Sequence, residues 1–282
     1  MIIRSRRDFI ANTMKTVGLA TIAGVTGLSC KKTTDTPTDT TSPDSIVLRF
    51  VTASDGHYGM DGVDYQNQYS LLVNALNNEK KGKGLDFCVI NGDIVNNRPD
   101  LLGDAKTALD KLACPYYVTK GNHDTTTDEH WEQVWGMSVN YSFKQNNCGF
   151  VFVTTSNESG EYLCPNPVYI KSALAGLNDM DNIFIFMHIT PNNWTTYGID
   201  CSAVRNAINT TPNVRAIFNG HDHQEDGVKY YEGNPYLFSG HFGANWGVSY
   251  YGYRVVEVYK NNVVKTYTVD PVTNKKYNII PV

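Results

Sequence analysis

The sequence predicts an α/β fold built on a largely parallel sheet, and two observations carry that prediction. Five short apolar runs, each bounded by turn formers, alternate with stretches of helical character, as expected when buried parallel strands are joined by crossover helices. Each run also leads into a short cluster of Asp, Asn, His or Gly. In such sheets ligands bind beyond the carboxyl ends of the strands, so the clusters are expected to share one rim of the sheet.

In chain order, the run over 46–51 leads into Asp55-Gly-His57, and a helical stretch follows over 65–79. The run over 86–90 leads into Asn91-Gly-Asp93, with a second helix expected over 100–112. The run over 115–118 leads into Gly121-Asn-His-Asp124, with a third helix over 127–134. A helix over 168–177 precedes the run 183–187 and His188, and one over 202–208 precedes the run 214–218 and Gly220-His-Asp-His223. Apolar, aromatic and β-branched runs of this length between turn formers are the form of fully buried strands. Beyond His223, alternation and Tyr/Val content favour strands over 228–231, 234–238, 252–258 and 263–269, with Lys260-Asn-Asn262 as a hairpin turn. These are expected to complete a second sheet packed on the first. No internal repeat is visible, and the roughly 250 residues after the first 30 suit one domain.

A single Asp after a strand is ordinarily a turn or cap residue, and a lone histidine such as His188 is ordinarily a satisfied core group. Five clusters in order, each after a strand, reverse that reading. Carboxylate, imidazole and amide oxygen without thiolate suit Mn, Fe or Zn. Asp124 reads instead as a cap for the turn before Thr127-Asp-Glu129, Asp222 as an acceptor orienting a neighbouring imidazole, and His130 as a helix surface residue.

The blocks D-x-H, G-D, G-N-H-D, H and G-H-x-H, complete and in this order from Asp55 to His223, resemble the calcineurin-like metallophosphoesterase superfamily. The resemblance implies a four-layer α/β/β/α sandwich and two divalent or trivalent metal ions. By motif position, Asp55, His57 and His223 would bind one ion, Asn122, His188 and His221 the other, and Asp93 would bridge both. Ions about 3.5–4 Å apart in such sites clamp the phosphate and acidify a bridging water, giving an in-line hydroxide nucleophile. His123 would not be a ligand but the proton donor to the leaving oxygen, a role suited to imidazole, whose ordinary pKa lies roughly at 6.5. The stretch bearing His241, Asn245 and Trp246 would border the site. Asn192, Asn193, Trp194 and Tyr197, just after His188, form a second polar-aromatic loop on the expected rim.

One departure bears on substrate. Three residues after the bridging Asp93, protein serine/threonine phosphatases carry an Asp that pairs with the catalytic His, and purple acid phosphatases a Tyr that binds iron; here stands Asn96. An Asn can orient an imidazole but cannot stabilise the imidazolium by charge. With both markers absent, the expectation is a phosphodiesterase acting on small or cyclic phosphodiesters. The alternatives are a phosphomonoesterase and a non-catalytic envelope binding lipoprotein that keeps the fold. The chain length leads us to expect no second nucleoside-binding domain of the periplasmic nucleotidase kind. Residues 1–30 hold four of the 24 basic and one of the 28 acidic side chains, leaving 20 basic against 27 acidic in the remainder. That balance argues against an extended nucleic-acid partner.

The N-terminus addresses location. Ser5-Arg-Arg-Asp-Phe-Ile10 followed by the mild apolar run 17–28 resembles a twin-arginine export signal, with an ordinary export signal bearing paired arginines as the alternative. Gly27-Leu-Ser-Cys30 resembles a lipoprotein processing site. We therefore expect a signal over 1–30, a polar disordered tether over 31–45 and the metallophosphoesterase domain over 46–282. Acyl groups on Cys30 would tether the protein to a bacterial envelope membrane, facing the periplasm. Of the other five cysteines, Cys88 reads as a core residue, and Cys148, Cys164 and Cys201 are candidates for a bridge.

Overall fold

The computed structural model describes residues 45–282. The expected signal over 1–30, and the expected tether except Ser45, lie outside the described residues. In chain order the elements are β1 (Ile46–Ala53), α1 (Tyr65–Lys83), β2 (Phe87–Asn91), α2 (Leu102–Leu109), β3 (Tyr116–Thr119), α3 (Asp128–Trp135), β4 (Tyr141–Gln145), β5 (Cys148–Val153), α4 (Pro167–Gly176), β6 (Asn182–Met187), α5 (Ser202–Asn209) and β7 (Val214–Asn219). The C-terminal part adds β8 (Val228–Tyr231), β9 (Asn234–Phe238), β10 (Tyr253–Tyr259), β11 (Val264–Val269) and β12 (Lys276–Pro281). Among the described residues no helix is long and apolar enough to cross a membrane.

The strands form two six-stranded sheets, ordered β12-β11-β10-β1-β2-β3 and β4-β5-β6-β7-β9-β8. In the first, β1, β2 and β3 are parallel while β10 to β12 run antiparallel. In the second, β5, β6, β7 and β9 are parallel, flanked by antiparallel β4 and β8. Two expectations need correction. The C-terminal strands do not complete one sheet: β8 and β9 close the second, whereas the β10–β11 hairpin returns to pair with β1 in the first. The clusters therefore lie on the rims of two sheets, after β1, β2 and β3 in one and after β6 and β7 in the other.

Strand periodicity builds the layers. Because successive side chains point to opposite faces, Phe50, Phe87, Phe150, Phe152, Phe184, Phe186 and Phe218 fall in one cluster between the sheets. The alternate residues Val51, Ala53, Cys88 and Ile90 face α1, α2 and α3, while Val151, Val153, Ile183, Ile185 and Met187 face α4 and α5. This is the four-layer α/β/β/α arrangement. Phe50 stacks on Phe87 at 5.1 Å and meets Phe184 edge-on at 5.2 Å. Aromatic pairs of these geometries add about 0.5–1.5 kcal/mol each beyond their buried area.

Asn91, fully buried, ties the carboxyl ends together. Its side-chain Nδ2 donates across the layers to the Phe218 carbonyl at 3.1 Å, and its Oδ1 accepts from Thr119 Oγ1 at 2.7 Å. On the outer side, Cys164 and Cys201 form a disulfide joining the segments that enter α4 and α5. Cys148, the third candidate for a bridge, instead opens β5 and is buried between the sheets as a free thiol. Cys88 is a core residue, its Sγ 3.3 Å from that of Cys114.

Candidate metal centre

At the rim each strand hands over to a loop whose backbone is bent sharply. Asp55, His57, Asp93 and His221 all lie in the left-handed region, with φ of 61°, 44°, 50° and 66°. Asp, Asn and His tolerate this region better than other side chains, yet such residues cost on the order of 1 kcal/mol or more each and persist only where the surroundings impose them. Glycine permits the closest approaches. A Cβ on Gly121 would lie 2.2 Å from Asp93 N, and one on Gly92, at φ +86°, would lie 2.4 Å from His188 Nδ1. Gly92 is therefore needed for the two sheets' ends to meet, and Gly121 for the β2 and β3 loops of the first sheet to close on each other.

The structure brings the expected residues together. Asp55, His57 and His223 offer ligand atoms within 4.8 Å of one another, as do Asp93, His188 and His221, and as do His57, Asp93 and His123. His223 Nε2 lies 3.0 Å from Asp55 Oδ1, and His188 Nε2 lies 3.1 Å from Asp93 Oδ2. His57 Nε2 is 3.8 Å from both carboxylates. Asn122 sits between Gly121 and His123, both against Asp93, and its buried Oδ1 has no hydrogen-bond partner. The outward atoms of these groups are held. His188 Nδ1–H donates to the Asn91 carbonyl at 2.7 Å and His57 Nδ1–H to Asn96 Oδ1 at 3.1 Å, so each Nε2 points inward. Backbone N–H groups of His123 and His221 donate to Asp93 Oδ1 and to Asp55.

The buried carboxylates and imidazoles perturb one another's protonation. Asp55 and Asp93 are fully buried; burial opposes their ionisation, but the neighbouring imidazoles together outweigh it, His188 foremost for both and His223 next at Asp55, taking Asp55 down to about 2 and Asp93 lower. Burial likewise disfavours the His188 imidazolium, yet Asp93 and Asp55 raise its pKa to about 10. Burial pushes His57 and His221 down to about 4, so both are neutral lone-pair donors at pH 7. His57 Nε2 and His223 Nε2 face each other at 3.1 Å. His221 Nε2 is buried without a hydrogen-bond partner, and His188 Nε2 and Asp93 Oδ2 pair only with each other. Buried polar atoms left unpaired are costly, and this convergence of inward oxygens and imidazole nitrogens fits a pair of cations. The candidate donors are oxygen and imidazole nitrogen only.

Several neighbours stand differently from expectation. Asp124 is not a helix cap, since Thr127 caps α3; its fully buried carboxylate accepts from Val95 N and Gly121 N, clamping the β2 and β3 loops together. Asn96, considered as an orienting group for His123, bonds His57; the acceptor for His123 Nδ1 is the next residue, Asn97, through Oδ1 at 3.1 Å. Asp222 lines the cleft, and His223 Nδ1 has no hydrogen-bond partner, so Asp222 does not orient that ring. His241 packs behind His223 with Nε2–H on the Val248 carbonyl, and burial holds it down to about 4; it lines, with Asn245, an adjoining recess. Trp194 turns to the core against Tyr236, 5.0 Å away.

The mouth is a cleft of about 210 Å³ lined by Asp93, His123, His221, His223, Asp222, Gln224, Tyr162, Tyr197 and Trp246. Tyr162, Gln224 and Asn97 escaped sequence reasoning. Tyr162 follows the tight Asn157–Gly160 turn after β5, a strand whose end carries no ligand-type cluster.

The model of the calcineurin-like phosphoesterase family matches residues 48–225. Among solved structures, a dimetal phosphatase from Danio rerio is similar at 13% identity and TM-score 0.67, over 84% of this chain and 99% of that one. A purple acid phosphatase from yellow lupin (Lupinus luteus) is similar at 11% identity and TM-score 0.63, over 84% of this chain, which spans about half (54%) of the lupin protein. A calcineurin-like phosphoesterase from Bacillus subtilis is similar at 13% identity and TM-score 0.53, over 82% of this chain and 93% of that one. No curated protein matches the sequence. At these identities the structural likenesses speak for the fold.

Proposed function

The chain belongs to the calcineurin-like phosphoesterase family, and from that premise we propose that it hydrolyses P–O bonds of small phosphodiesters with two metal ions. Asp55, His57 and His223 would hold one ion, Asn122, His188 and His221 the other, with Asp93 shared. The carrying observation is the pair of three-residue clusters at the meeting of two sheets, where Asn122 Oδ1 and His221 Nε2 are buried without hydrogen-bond partners and the Nε2 atoms of His57, His188 and His223 meet only one another and the two carboxylates. When bound, the ions supply Lewis-acid polarisation of the phosphoryl group and an acidified water.

The protein's own groups supply the rest. His123 lines the cleft with its backbone N–H on Asp93 and its Nδ1 on Asn97, leaving Nε2 for proton transfer to the departing oxygen. As an imidazolium it gives the Nε2 proton to the alkoxide while Nδ1–H remains on Asn97 Oδ1. That Oδ1 is a neutral acceptor, which orients the ring without the charge a carboxylate would add. The lean towards diesters rests on Asn96 standing where the monoesterase markers would be, and on the absence of Lys and Arg among the described residues lining the cleft. A monoester dianion brings a second negative charge that no such side chain meets there.

For location we propose anchoring through acyl groups on Cys30 in a bacterial envelope, facing the periplasm. The motif around Cys30 supports it, and the Cys164–Cys201 disulfide suits an oxidising compartment. The test of activity is turnover by the Mn-loaded protein of a monoester, a linear diester, a cyclic nucleotide and a phospholipid headgroup diester. Diester turnover exceeding monoester turnover is expected. Two bound metals with no turnover of any ester would favour a binding protein that keeps the fold.

A further inference from the structure

The cleft has walls of one kind. Tyr162, Tyr197 and Trp246 are 42%, 52% and 47% exposed, and all three line it. Exposed aromatics grouped at one concave site mark a binding surface rather than scattered surface residues. Each ring is held in place by the metal-binding histidines. Trp246 stacks on His223 at 4.4 Å with 19° between planes, and Tyr162 and Tyr197 stand edge-on to His221 at 4.8 and 5.8 Å. The backbone turn after Trp246 is also fixed, since Gly247 lies at φ +114° where a Cβ would meet the His223 carbonyl at 2.3 Å. The rings therefore form prearranged planes, so a ligand need not order them on binding. The remaining lining polar groups outside the metal cluster are His123, Asp222 and Gln224.

We propose that this cleft selects phosphodiesters bearing a flat aromatic ring on the retained ester arm, the one that does not depart, with Trp246, Tyr162 and Tyr197 as the walls that receive it. The inference rests on the phosphodiesterase reading above and names its substrate class. Ring stacking on aromatic side chains tolerates many ring identities, so simple aryl groups and nucleobases share the chemistry.

The test compares p-nitrophenyl diesters with the same leaving group and four retained arms: methyl, cyclohexyl, phenyl and thymidine 5′-yl. In the Mn-loaded full chain, kcat/KM for phenyl over methyl should be about 5- to 100-fold, as stacking energies imply. That ratio should fall towards one in Trp246→Leu and in the Tyr162→Ser, Tyr197→Ser double variant. A ratio cancels losses common to both substrates, so partial misfolding does not mimic the effect. A thymidine arm surpassing phenyl would identify nucleobases as the source, and phenyl equalling or surpassing thymidine would identify simple aryl groups. A phenyl-to-methyl ratio near one, a ratio unchanged in both variants, or cyclohexyl equal to phenyl would overturn the proposal. Calorimetric titration with phenylphosphonate and methylphosphonate gives a second readout. Preferential phenylphosphonate binding without turnover overturns the hydrolase reading and retains the ring site, whereas turnover without ring preference does the reverse.

Discussion

Removing the Asn97 side chain should disconnect the proton donor while leaving the metals in place. Asn97 Oδ1 accepts from His123 Nδ1 at 3.1 Å, and Asn97 itself lies at φ 55°. Glycine is therefore the clean replacement, because alanine would add strain at a left-handed position. A hydrogen bond from a charged donor contributes about 1.5–3 kcal/mol, which converts, at roughly 1.4 kcal/mol per factor of ten, to a loss of about 10- to 100-fold in kcat. Asn96 is the internal control: its Oδ1 holds His57 Nδ1 at 3.1 Å, so Asn96→Ala should weaken metal binding by about 10- to 100-fold and recover kcat at saturating metal. Asn97→Asp, which sets a carboxylate beside the imidazolium, should move the basic limb of the kcat profile to higher pH. The assay is initial rates at saturating Mn on a nitrophenyl diester and an alkyl diester, with elemental analysis after gel filtration. Nitrophenolate departs without a proton, so the Asn97→Gly deficit should appear with the alkyl leaving group and vanish with nitrophenyl. An equal deficit on both substrates, or metal loss from Asn97→Gly, would refute the link between Asn97 and His123.

Four further outcomes are expected, three from the same geometry and one from the sequence motif around Cys30. His123→Ala should retain both metals and lower turnover of alkyl diesters by about 10²–10⁴-fold; unchanged turnover removes His123 from the mechanism. Asp93→Asn should reduce metal content at both positions, and full two-metal loading by elemental analysis would refute the shared carboxylate. In EDTA-treated protein, His57, His221 and His241, held down to about 4 against an ordinary 6.5, contribute stability that is complete above pH 6.5 and is lost as pH falls through 4. His188, held up to about 10, runs the other way, its contribution complete below pH 6.5 and lost as pH rises through 10. The melting temperature of the metal-free protein should therefore decline on both sides of the near-neutral range, and His241→Phe should flatten only the acid limb; a flat profile from pH 6.5 to 4 would contradict the burial argument. Cys30→Ser should release the protein from membranes, and persistent membrane fractionation would point to another anchor.

Much of this was legible from periodicity alone. β1, β2, β3, β6 and β7 were expected from apolar runs, and the observed spans differ by at most about two residues at either end, because a strand buried on both faces leaves an uninterrupted apolar record. Pairing partners leave no such record. The strand at Tyr253–Tyr259 looks the same whether it joins β1 or β9, and only the fold decides that it returns to β1. The same holds for side chains on the rim. Asn96 and Asn97 are adjacent and chemically identical, and which faces His57 and which His123 depends on the left-handed turn at Asn97. Trp194 and Trp246 were equal candidates for the mouth, and the difference is that Trp194 finds Tyr236 in the core while Trp246 finds His223.

The layer of seven phenylalanines between the sheets acts as a spacer gauge for the chemistry above it. Asp55, His57 and Asp93 ride on one sheet and His188, His221 and His223 on the other, so the thickness of that aromatic layer sets the width of the gap the ions must fill. Asn91, hydrogen-bonded across the layers to Phe218, pins the gauge at its open end. Because close-packed interiors shift rather than compress when volume is removed, trimming Phe218 or Phe186 would alter the span between the two half-sites without touching a ligand. The spacing of the candidate ligands is thus a property of the core as well as of the loops that carry them.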